Sequence, residues 1–320
     1  MKTTNTAIAL VCMLLLAPVM RGADKKVCFT IDDLPVSVQN DTTLLFERQV
    51  TTSLIQTFTQ YHIPAIGFVN ESDVYNDKMK VDSNQVDLLR AWMNARLELG
   101  NHTYSHPDYN QTNYRTFTDD ILEGEKIIRP LMAQYHKKLR YFRHPFLSIG
   151  ETKAKADSLT RFLTSKKYIV APVTVHNDDW KFNDAYDSAM VQKDTALMRK
   201  IGTCYLEYTQ EQLDYSEKLS QLLFGRSINQ VMLLHANAIN RDYIDRIAQI
   251  FRDKGYQFIS LKEAIKDKAY KTEITYYNEY NPAWLLRWAA SSGLKREQYE
   301  NWPLTPEFIL KLAHLPLYYK

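Results

Sequence analysis

The fold is decided by the stretch VCFTIDD, residues 27–33, in which an apolar run ends on two adjacent carboxylates. A run this rich in β-branched and aromatic residues predicts a strand, and six further runs share its character. The seven predicted strands cover residues 27–31, 65–69, 97–100, 140–143, 168–175, 231–235 and 256–260. Helical spacing predicts helices at 44–61, 85–95, 121–135 and 243–253, and more than one helix within 184–224. Alternating strands and helices predict an α/β fold with parallel strands, either an open doubly wound sheet or a closed barrel.

The chain divides into three regions by composition. Residues 1–23 carry a basic residue, an apolar run at 7–20 and then small residues, which is typical of a secretory signal peptide. The run is shorter than the roughly 20 residues that a bilayer requires, so we expect a periplasmic or secreted protein without a membrane span. Residues 24–268 contain no repeat or long linker and predict the main domain. Residues 269–320 hold three of the five tryptophans and predict an aromatic-rich helical extension, with short helices near Pro282 and Thr305.

Composition excludes several classes of function. The 9 glycines form neither a Walker loop nor a Rossmann fingerprint, so a nucleotide cofactor is not expected. The 40 Lys and Arg against 37 Asp and Glu give a net charge of +3 without any concentrated basic run. Nucleic acid is therefore not an expected partner. Beyond the apolar run, Cys28 and Cys204 could form one disulfide or remain two thiols.

Unusual polar side chains stand at the ends of the predicted strands. Parallel strands in α/β folds bring their carboxyl ends to one face, where ligands bind and catalysis takes place. Five segments therefore deliver carboxylates, imidazoles and a guanidinium to the same rim: Asp32 and Asp33, His102 and His106, Arg143, Asp178 and Asp179, and His235.

Two of these histidines suggest a metal site. His102 and His106 are four residues apart, so one helical turn or a tight loop can direct both imidazoles at the same point. Such a pair alone belongs more often to two unrelated histidines, but an aspartate from another strand end completes a set of three ligands. Three protein ligands with open coordination positions are typical of a catalytic site. Zinc is the expected ion, and nickel, cobalt or manganese would accept the same ligands.

The adjacent carboxylates Asp32 and Asp33 are predicted to have different roles. Successive strand residues point to opposite sides, so we expect one of Asp32 and Asp33 to bind the metal and the other to handle protons. The alternative is a simple turn pair before Pro35. The arrangement disfavours a glycosidase, whose two carboxyl groups flank one bond from about 5 Å or more apart. A serine hydrolase is disfavoured because the chain contains no G-x-S-x-G pattern.

Five motifs in this order resemble those of the polysaccharide deacetylases of carbohydrate esterase family 4, the NodB-homology domain, over residues 26–265. They are Thr30-Ile31-Asp32-Asp33, His102-Thr103-Tyr104-Ser105-His106 with Pro107 after it, Arg143-His144-Pro145-Phe146, Asp179-Trp180, and Leu233-Leu234-His235. The resemblance implies a distorted (β/α) barrel of about seven parallel strands. It also implies a hydrolase that uses one divalent metal ion to remove acetyl groups from an N-acetylated or O-acetylated poly- or oligosaccharide.

The resemblance further implies a role for each matching residue. Asp33, His102 and His106 would bind the metal, while Asp32 would be the base that acts on metal-activated water and His235 the acid. Arg143 would hold Asp32 in its charged form, and Asp179 would orient His235. Substrate contacts would come from Trp180, Leu233, Tyr104, Pro145 and Phe146, with a backbone N–H near Tyr104 stabilising the developing oxyanion.

Some positions leave alternatives open. His176 stands where the family's fourth motif begins with an aspartate, and His144 is an unusual residue within the third motif. A carbohydrate-binding protein that keeps the barrel with weak or no activity is therefore a second hypothesis. The aromatic extension could pack on the barrel, extend the saccharide groove as a platform, or bind a partner.

Asn101-His102-Thr103 is a glycosylation sequon within the predicted metal loop. A glycan at Asn101 would obstruct the site. We therefore expect an unglycosylated, bacterial product.

Overall fold

The computed structural model describes residues 25–38, 40, 42–278 and 282–317, so the predicted signal peptide at 1–23 lies outside the described residues. The strands are β1 Lys25–Leu34, β2 Ile66–Val69, β3 Glu98–Asn101, β4 Tyr141–Phe142, β5 Ile169–Val170, β6 Val175–His176, β7 Gln230–His235 and β8 Tyr256–Phe258. The helices are α1 Leu44–Gln60, α2 Ser83–Asn94, α3 Tyr114–Glu123, α4 Ile128–Gln134, α5 Lys153–Ser165, α6 Asp179–Val191, α7 Thr195–Phe224, α8 Ala238–Asp253, α9 Leu261–Ala264, α10 Trp284–Ser291 and α11 Glu307–Leu312. Short 3-10 turns occupy Glu71–Val74, Pro145–Leu147, Lys268–Lys271 and Arg296–Gln298.

All strand pairs in the sheet are parallel, as the alternating pattern predicts. Seven strands run in the order β5-β4-β3-β2-β1-β7-β6, and β8 pairs with the beginning of β1. Helices surround the sheet, which curls into a half-barrel whose two edges are β5 and β6. The structure thus confirms the distorted (β/α) barrel.

The prediction of one strand over 168–175 is wrong. The structure divides this segment into β5 and β6, which lie at opposite edges of the sheet. Pro172 stands between them, and proline has no backbone N–H to donate to a strand ladder. The four residues 171–174 therefore carry the chain from one edge of the half-barrel to the other, and Thr174 already donates its N–H to Val231 of β7.

Strand β1 is a central strand of the sheet. It pairs with β2, β7 and β8, and most of its residues are buried. Its side chain Phe29 is fully buried and contacts the rings of Phe58, Phe251 and Phe258 edge to face, at centroid distances of 6.5, 5.1 and 5.2 Å. This aromatic cluster fixes α1 and α8 against the middle of the sheet.

One predicted helix is divided in the structure. The stretch predicted as one helix at 121–135 contains the end of α3, which stops at Glu123, and α4, which begins at Ile128. The long stretch 184–224 contains the end of α6 and all of α7, which confirms that it holds more than one helix.

The C-terminal extension packs on the barrel through part of its aromatic content. Trp284 and Trp288 of α10 are buried, and Trp288 contacts the rings of Phe224 and Tyr270. The buried guanidinium of Arg287 donates to the carbonyl oxygen of Leu147 at 2.8 Å. Trp302, in contrast, stays 36% exposed.

Within the described part of the chain, no helix combines the length and the apolar character needed to cross a membrane.

Cys28 is buried and Cys204 half-buried, and both are free thiols. Of the two alternatives for this pair, a disulfide or two thiols, the structure therefore has two thiols.

Phe29→Ala should lower the free energy of unfolding by about 3–5 kcal/mol, because it removes the ring around which three other aromatic rings pack. Urea denaturation followed by circular dichroism measures this. Leu45→Ala, at a position on α1 that is 69% exposed, is the control and should change the free energy by less than about 0.5 kcal/mol. Equal effects of the two substitutions would contradict the described core.

Candidate functional site

A cavity of about 470 Å³ opens at the carboxyl ends of the strands. The predicted site residues that line it are Asp32, Asp33, His102, His106, Phe146, Asp178, Asp179, Trp180, Leu233 and His235. Arg143 is fully buried beside it and bonds to Asp32. Tyr104 and Pro145 are not among the lining residues. The strand-end rule therefore brings most of the predicted residues to one place.

Both carboxylates of the Asp-Asp pair face this cavity, although strict alternation along a strand predicts opposite sides. Asp32 and Asp33 lie within β1, not after it, and Asp32 is in register with His235 of β7. Asp33 has a left-handed backbone with φ of +60°, and the pairing with β2 is irregular between Ile31 and Leu34. The left-handed residue breaks the alternation and lets neighbouring side chains reach one cavity.

The predicted metal ligands converge. One ligand atom from each of Asp33, His102 and His106 lies within 4.8 Å of the others. Nε2 of His102 is 3.5 Å and Nε2 of His106 is 3.6 Å from Oδ1 of Asp33. Asn70 donates its side-chain N–H to the same oxygen at 2.8 Å.

The histidine motif forms a tight loop, not a helical turn. Thr103 and His106 both have positive φ, and the Thr103 hydroxyl accepts the N–H of His106 at 3.0 Å. The carboxylate of Asp120 accepts the N–H groups of Tyr104 and Ser105 at 2.9 Å each. A Cβ at Gly124 would lie 2.4 Å from the backbone of Thr103, so glycine allows α3 to approach the loop.

The hydrogen bond that His102 makes through Nδ1 leaves its Nε2 lone pair available to bind a cation. Its Nδ1 lies 2.9 Å from the carbonyl oxygen of Arg143, an atom that can only accept, so Nδ1 carries the proton. Burial and the neighbouring His106 hold the pKa of His102 well below its usual value. The neutral ring therefore directs the lone pair of Nε2 towards the carboxylate of Asp33. Two electron-rich atoms facing each other in a buried site are stabilised by a metal ion between them.

Asp32 is held beside the predicted metal ligands by a buried guanidinium. Nη1 of Arg143 donates to Oδ2 of Asp32 at 3.2 Å, and Nη2 donates to the hydroxyl of Thr30 at 2.8 Å. Burial raises the pKa of Asp32 to about 6, while the charge of Arg143 opposes that rise. Oδ1 of Asp32 is buried and makes no hydrogen bond within the described chain. This carboxylate is thus positioned with one oxygen ready to accept a proton.

His235 and Asp179 form a second acid-base pair. Nδ1 of His235 donates to Oδ1 of Asp179 at 2.7 Å, and its Nε2 lies 3.9 Å from Oδ2 of Asp33. Burial alone would lower the pKa of His235, but the charge and hydrogen bond of Asp179 raise it to about 10. Asn240 donates to the other oxygen of Asp179 at 2.6 Å, which fixes the carboxylate. The pair can therefore hold a proton over the cavity at neutral pH.

Sequence reasoning missed the residues that support these groups: Thr30, Asn70, Asp120, Gly124, Asn237 and Asn240. Asn70 directly follows β2, so the strand-end rule that identified the other residues could have found it. Asp120 and Asn240 lie on helices, where polar residues ordinarily face solvent. Their roles depend on how those helices pack.

The predicted oxyanion donor, a backbone N–H near Tyr104, finds no free N–H group there, because those of residues 103–106 all donate to side-chain oxygens. The N–H of Tyr104 donates to Asp120, and the Tyr104 ring contacts Tyr75 at a centroid distance of 5.8 Å. The sequon at Asn101, which we expect to be unglycosylated, is inaccessible. Asn101 is fully buried, and its side-chain N–H groups donate to Ile121 and Tyr168 at 2.9 Å each.

His176, where the sequence departs from the family pattern, contacts a carboxylate of the same loop. Its Nδ1 is 3.4 Å from Oδ1 of Asp178. The other oxygen of Asp178 accepts from Lys181 at 2.9 Å, Tyr208 at 3.0 Å and Thr305 at 2.7 Å. Asp178 has a left-handed backbone with φ of +50° and immediately precedes Asp179. It therefore links the loop of the acid-base pair to α7 and to the C-terminal extension.

Residues 20–162 match the family model described as polysaccharide deacetylase. This range includes the Asp-Asp pair, the histidine loop and Arg143. This part of the chain is therefore similar to the polysaccharide deacetylase family. No curated protein matches the sequence.

Solved structures share the fold of this chain at low identity. A carbohydrate esterase family 4 pseudoenzyme from Bacillus anthracis is 14% identical with a TM-score of 0.51, over 76% of this chain and 66% of that chain. A peptidoglycan N-acetylglucosamine deacetylase is 17% identical with a TM-score of 0.51, over 75% and 88%. The peptidoglycan deacetylase PdaC from Bacillus subtilis, in a mutant form, is 18% identical with a TM-score of 0.50, over 76% and 92%. At these identities the likeness establishes the fold.

Asp178→Asn should destabilise the folded protein by about 1.5–3 kcal/mol at pH 6, because it weakens charged hydrogen bonds. Burial alone would raise the pKa of Asp178, but His176, Lys181 and Thr305 hold it well below its usual value of 3.8. The carboxylate therefore stabilises the fold above pH 3.8, and this contribution is lost as the pH falls below that value. Urea unfolding of both proteins at pH 6 and pH 3 measures the effect. A difference that is as large at pH 3 as at pH 6 would contradict it.

Proposed function

We propose that this protein is a metal-dependent hydrolase that removes acetyl groups from an N-acetylated or O-acetylated poly- or oligosaccharide. The observation that carries the proposal is the convergence of Asp33, His102 and His106 within 4.8 Å, in one cavity with Asp32 and His235. Three ligands of mixed nitrogen and oxygen type beside a base and an acid suit hydrolysis. The family description supports the substrate class.

The ligand set fits one divalent cation, for which zinc is our first choice. Neutral imidazoles and one carboxylate are common zinc ligands, and nickel, cobalt and manganese accept the same set. When bound by Asp33, His102 and His106, the cation would polarise the acetyl carbonyl and acidify a water molecule.

Asp32 would act as the general base. Its free Oδ1 would accept a proton from the attacking water, while Arg143 keeps the other oxygen in place. The raised pKa, about 6, makes this carboxylate a stronger base than an exposed aspartate and leaves it ionised at neutral pH.

His235 would act as the general acid. As the bond from the acetyl carbon to the sugar nitrogen or oxygen breaks, Nε2 would donate its proton to that leaving atom. Asp179 would keep the ring oriented and positively charged until then, through its 2.7 Å hydrogen bond to Nδ1. The products are acetate and a free amine or hydroxyl.

The exposed aromatic side chains of the cavity suit a sugar ring. Trp180 is 45% and Phe146 56% exposed, and both line the cavity together with Leu233. Aromatic faces pack against the C–H face of a pyranose, whereas Leu233 offers an apolar surface for the acetyl methyl group. We further propose that the protein works outside the cytoplasm, on the basis of the signal-like segment 1–23.

His106→Gly should abolish stoichiometric metal binding and lower acetate release at least about 100-fold, because it removes one of three ligands. Glycine tolerates the positive φ of this residue, so the loop is not strained. Elemental analysis after dialysis against zinc measures the metal. His62→Gly is the matched control, an exposed histidine with positive φ outside the cavity. One zinc ion per chain in the His106→Gly protein would contradict the ligand assignment.

Asp32→Asn should lower kcat by about 10²- to 10⁴-fold while the zinc content stays the same, because the amide cannot accept the water proton. Acetate release from N-acetylated chito-oligosaccharides, peptidoglycan and acetylated xylan provides the assay. Unchanged turnover in this variant would refute the role of Asp32. A wild-type protein that binds these saccharides but releases no acetate from any of them would favour the carbohydrate-binding alternative.

A further inference from the structure

The C-terminal extension runs along one face of α7. Tyr208, Gln212 and Tyr215 follow each other at spacings of four and three residues, so their side chains share a face of the helix. The side-chain N–H of Gln212 donates to the carbonyl oxygen of Pro303 at 3.0 Å. The hydroxyl of Tyr215 donates to the backbone carbonyl oxygen of Tyr299. The backbone of the extension is therefore tied to the helix at two points.

A third tie fixes the extension to the loop of the acid-base pair. The hydroxyl of Thr305 donates to Asp178 at 2.7 Å, and the single hydroxyl proton of Tyr208 is shared between Asp178 at 3.0 Å and the carbonyl oxygen of Pro303 at 3.1 Å. Held in this way, the segment leaves two apolar side chains in solvent: Trp302 is 36% and Leu304 48% exposed.

Three cavities adjoin one another along this segment. The catalytic cavity shares His176 and Asp178 with a second cavity of about 140 Å³, which is also lined by Trp302 and Leu304. The second cavity shares Tyr215 and Pro303 with a third of about 420 Å³. The three cavities are therefore neighbours and form a row that leads away from the catalytic residues.

The chemistry of the row suits a sugar chain. The second cavity combines the Trp302 indole with polar groups of Gln212 and Lys181, and the third is lined by Gln298 and Asn301 together with acidic and basic side chains of α7. Pyranose units present an apolar C–H face and a rim of hydroxyl groups, which such a mixture can match. The carboxylates of Glu211 and Asp214 in the third cavity disfavour a nucleic acid or another polyanion.

We infer that residues 298–304 and the adjoining face of α7 bind the sugar units next to the acetylated one, with Trp302 as the stacking platform. This inference rests on the proposed function and extends it to a substrate of several linked sugars. His176 then lies at the junction between the catalytic cavity and this second binding region.

The test compares substrates of different length. We measure kcat/KM for acetate release from N,N'-diacetylchitobiose and from hexa-N-acetylchitohexaose. Trp302→Ala should lower kcat/KM on the hexamer about tenfold and leave the value on the dimer within about twofold. Trp302→Phe keeps an aromatic face and should restore most of the loss. The matched control is Tyr276→Ala, an aromatic side chain of the same extension that is 51% exposed and lines none of the three cavities.

Two results would overturn the inference. Equal losses on dimer and hexamer would mean that Trp302 acts through stability or the catalytic centre, and an unchanged hexamer value would mean that it does not contact the substrate. If the wild-type protein releases no acetate from either compound, the proposed function fails for this substrate while the inference is still tested by calorimetric titration with the hexamer. Weaker binding in Trp302→Ala but not in Tyr276→Ala then supports the binding region, and absence of hexamer binding to the wild type refutes it.

Discussion

The burial of two adjacent carboxylates in one cavity is the constraint on which the site depends. Like charges at close range repel by a few kcal/mol or more in a partly buried environment, so Asp32 and Asp33 require compensating positive charge. Arg143 supplies it for Asp32, and the protonated His235 faces Asp33. Two neutral imidazoles then direct their lone pairs at Asp33, which makes a bound cation the natural completion. The compensating groups come from several segments: Arg143 follows β4, the two imidazoles belong to the loop after β3, and His235 ends β7.

Much of this arrangement could be predicted because it follows from chain periodicity. The parallel half-barrel follows from alternating strands and helices, and the gathering of Asp32, Asp33, His102 and His106 at one rim follows from their positions at or near strand ends. Only the family resemblance implies that Asp33, and not Asp32, joins the two histidines. The split of residues 168–175 could not be read from apolar content alone. Pro172 gives the local reason, yet the separation of β5 and β6 to opposite edges is a property of the whole sheet.

The misses in the site have physical reasons of their own. Alternation along a strand placed Asp32 and Asp33 on opposite sides, and a left-handed backbone at Asp33 cancels that rule. Asp120 and Asn240 act from helices, so their contacts depend on packing that the sequence pattern does not encode. The extension shows the same limit. The sequence pattern does not distinguish its tryptophans, but Trp288 is buried whereas Trp302 is 36% exposed and lines the second cavity. The backbone next to Trp302 is hydrogen-bonded to Gln212 of α7.

The most direct test of the account is the position of the metal ion itself. A crystal of the protein grown with zinc and measured at the zinc absorption edge should give one strong anomalous peak, within about 2.0–2.2 Å of a carboxylate oxygen of Asp33 and of Nε2 of both His102 and His106. A peak at that site with a coordination position open to the cavity is the predicted result. An anomalous map without a peak between these three side chains, from crystals in which they are ordered, would contradict the account.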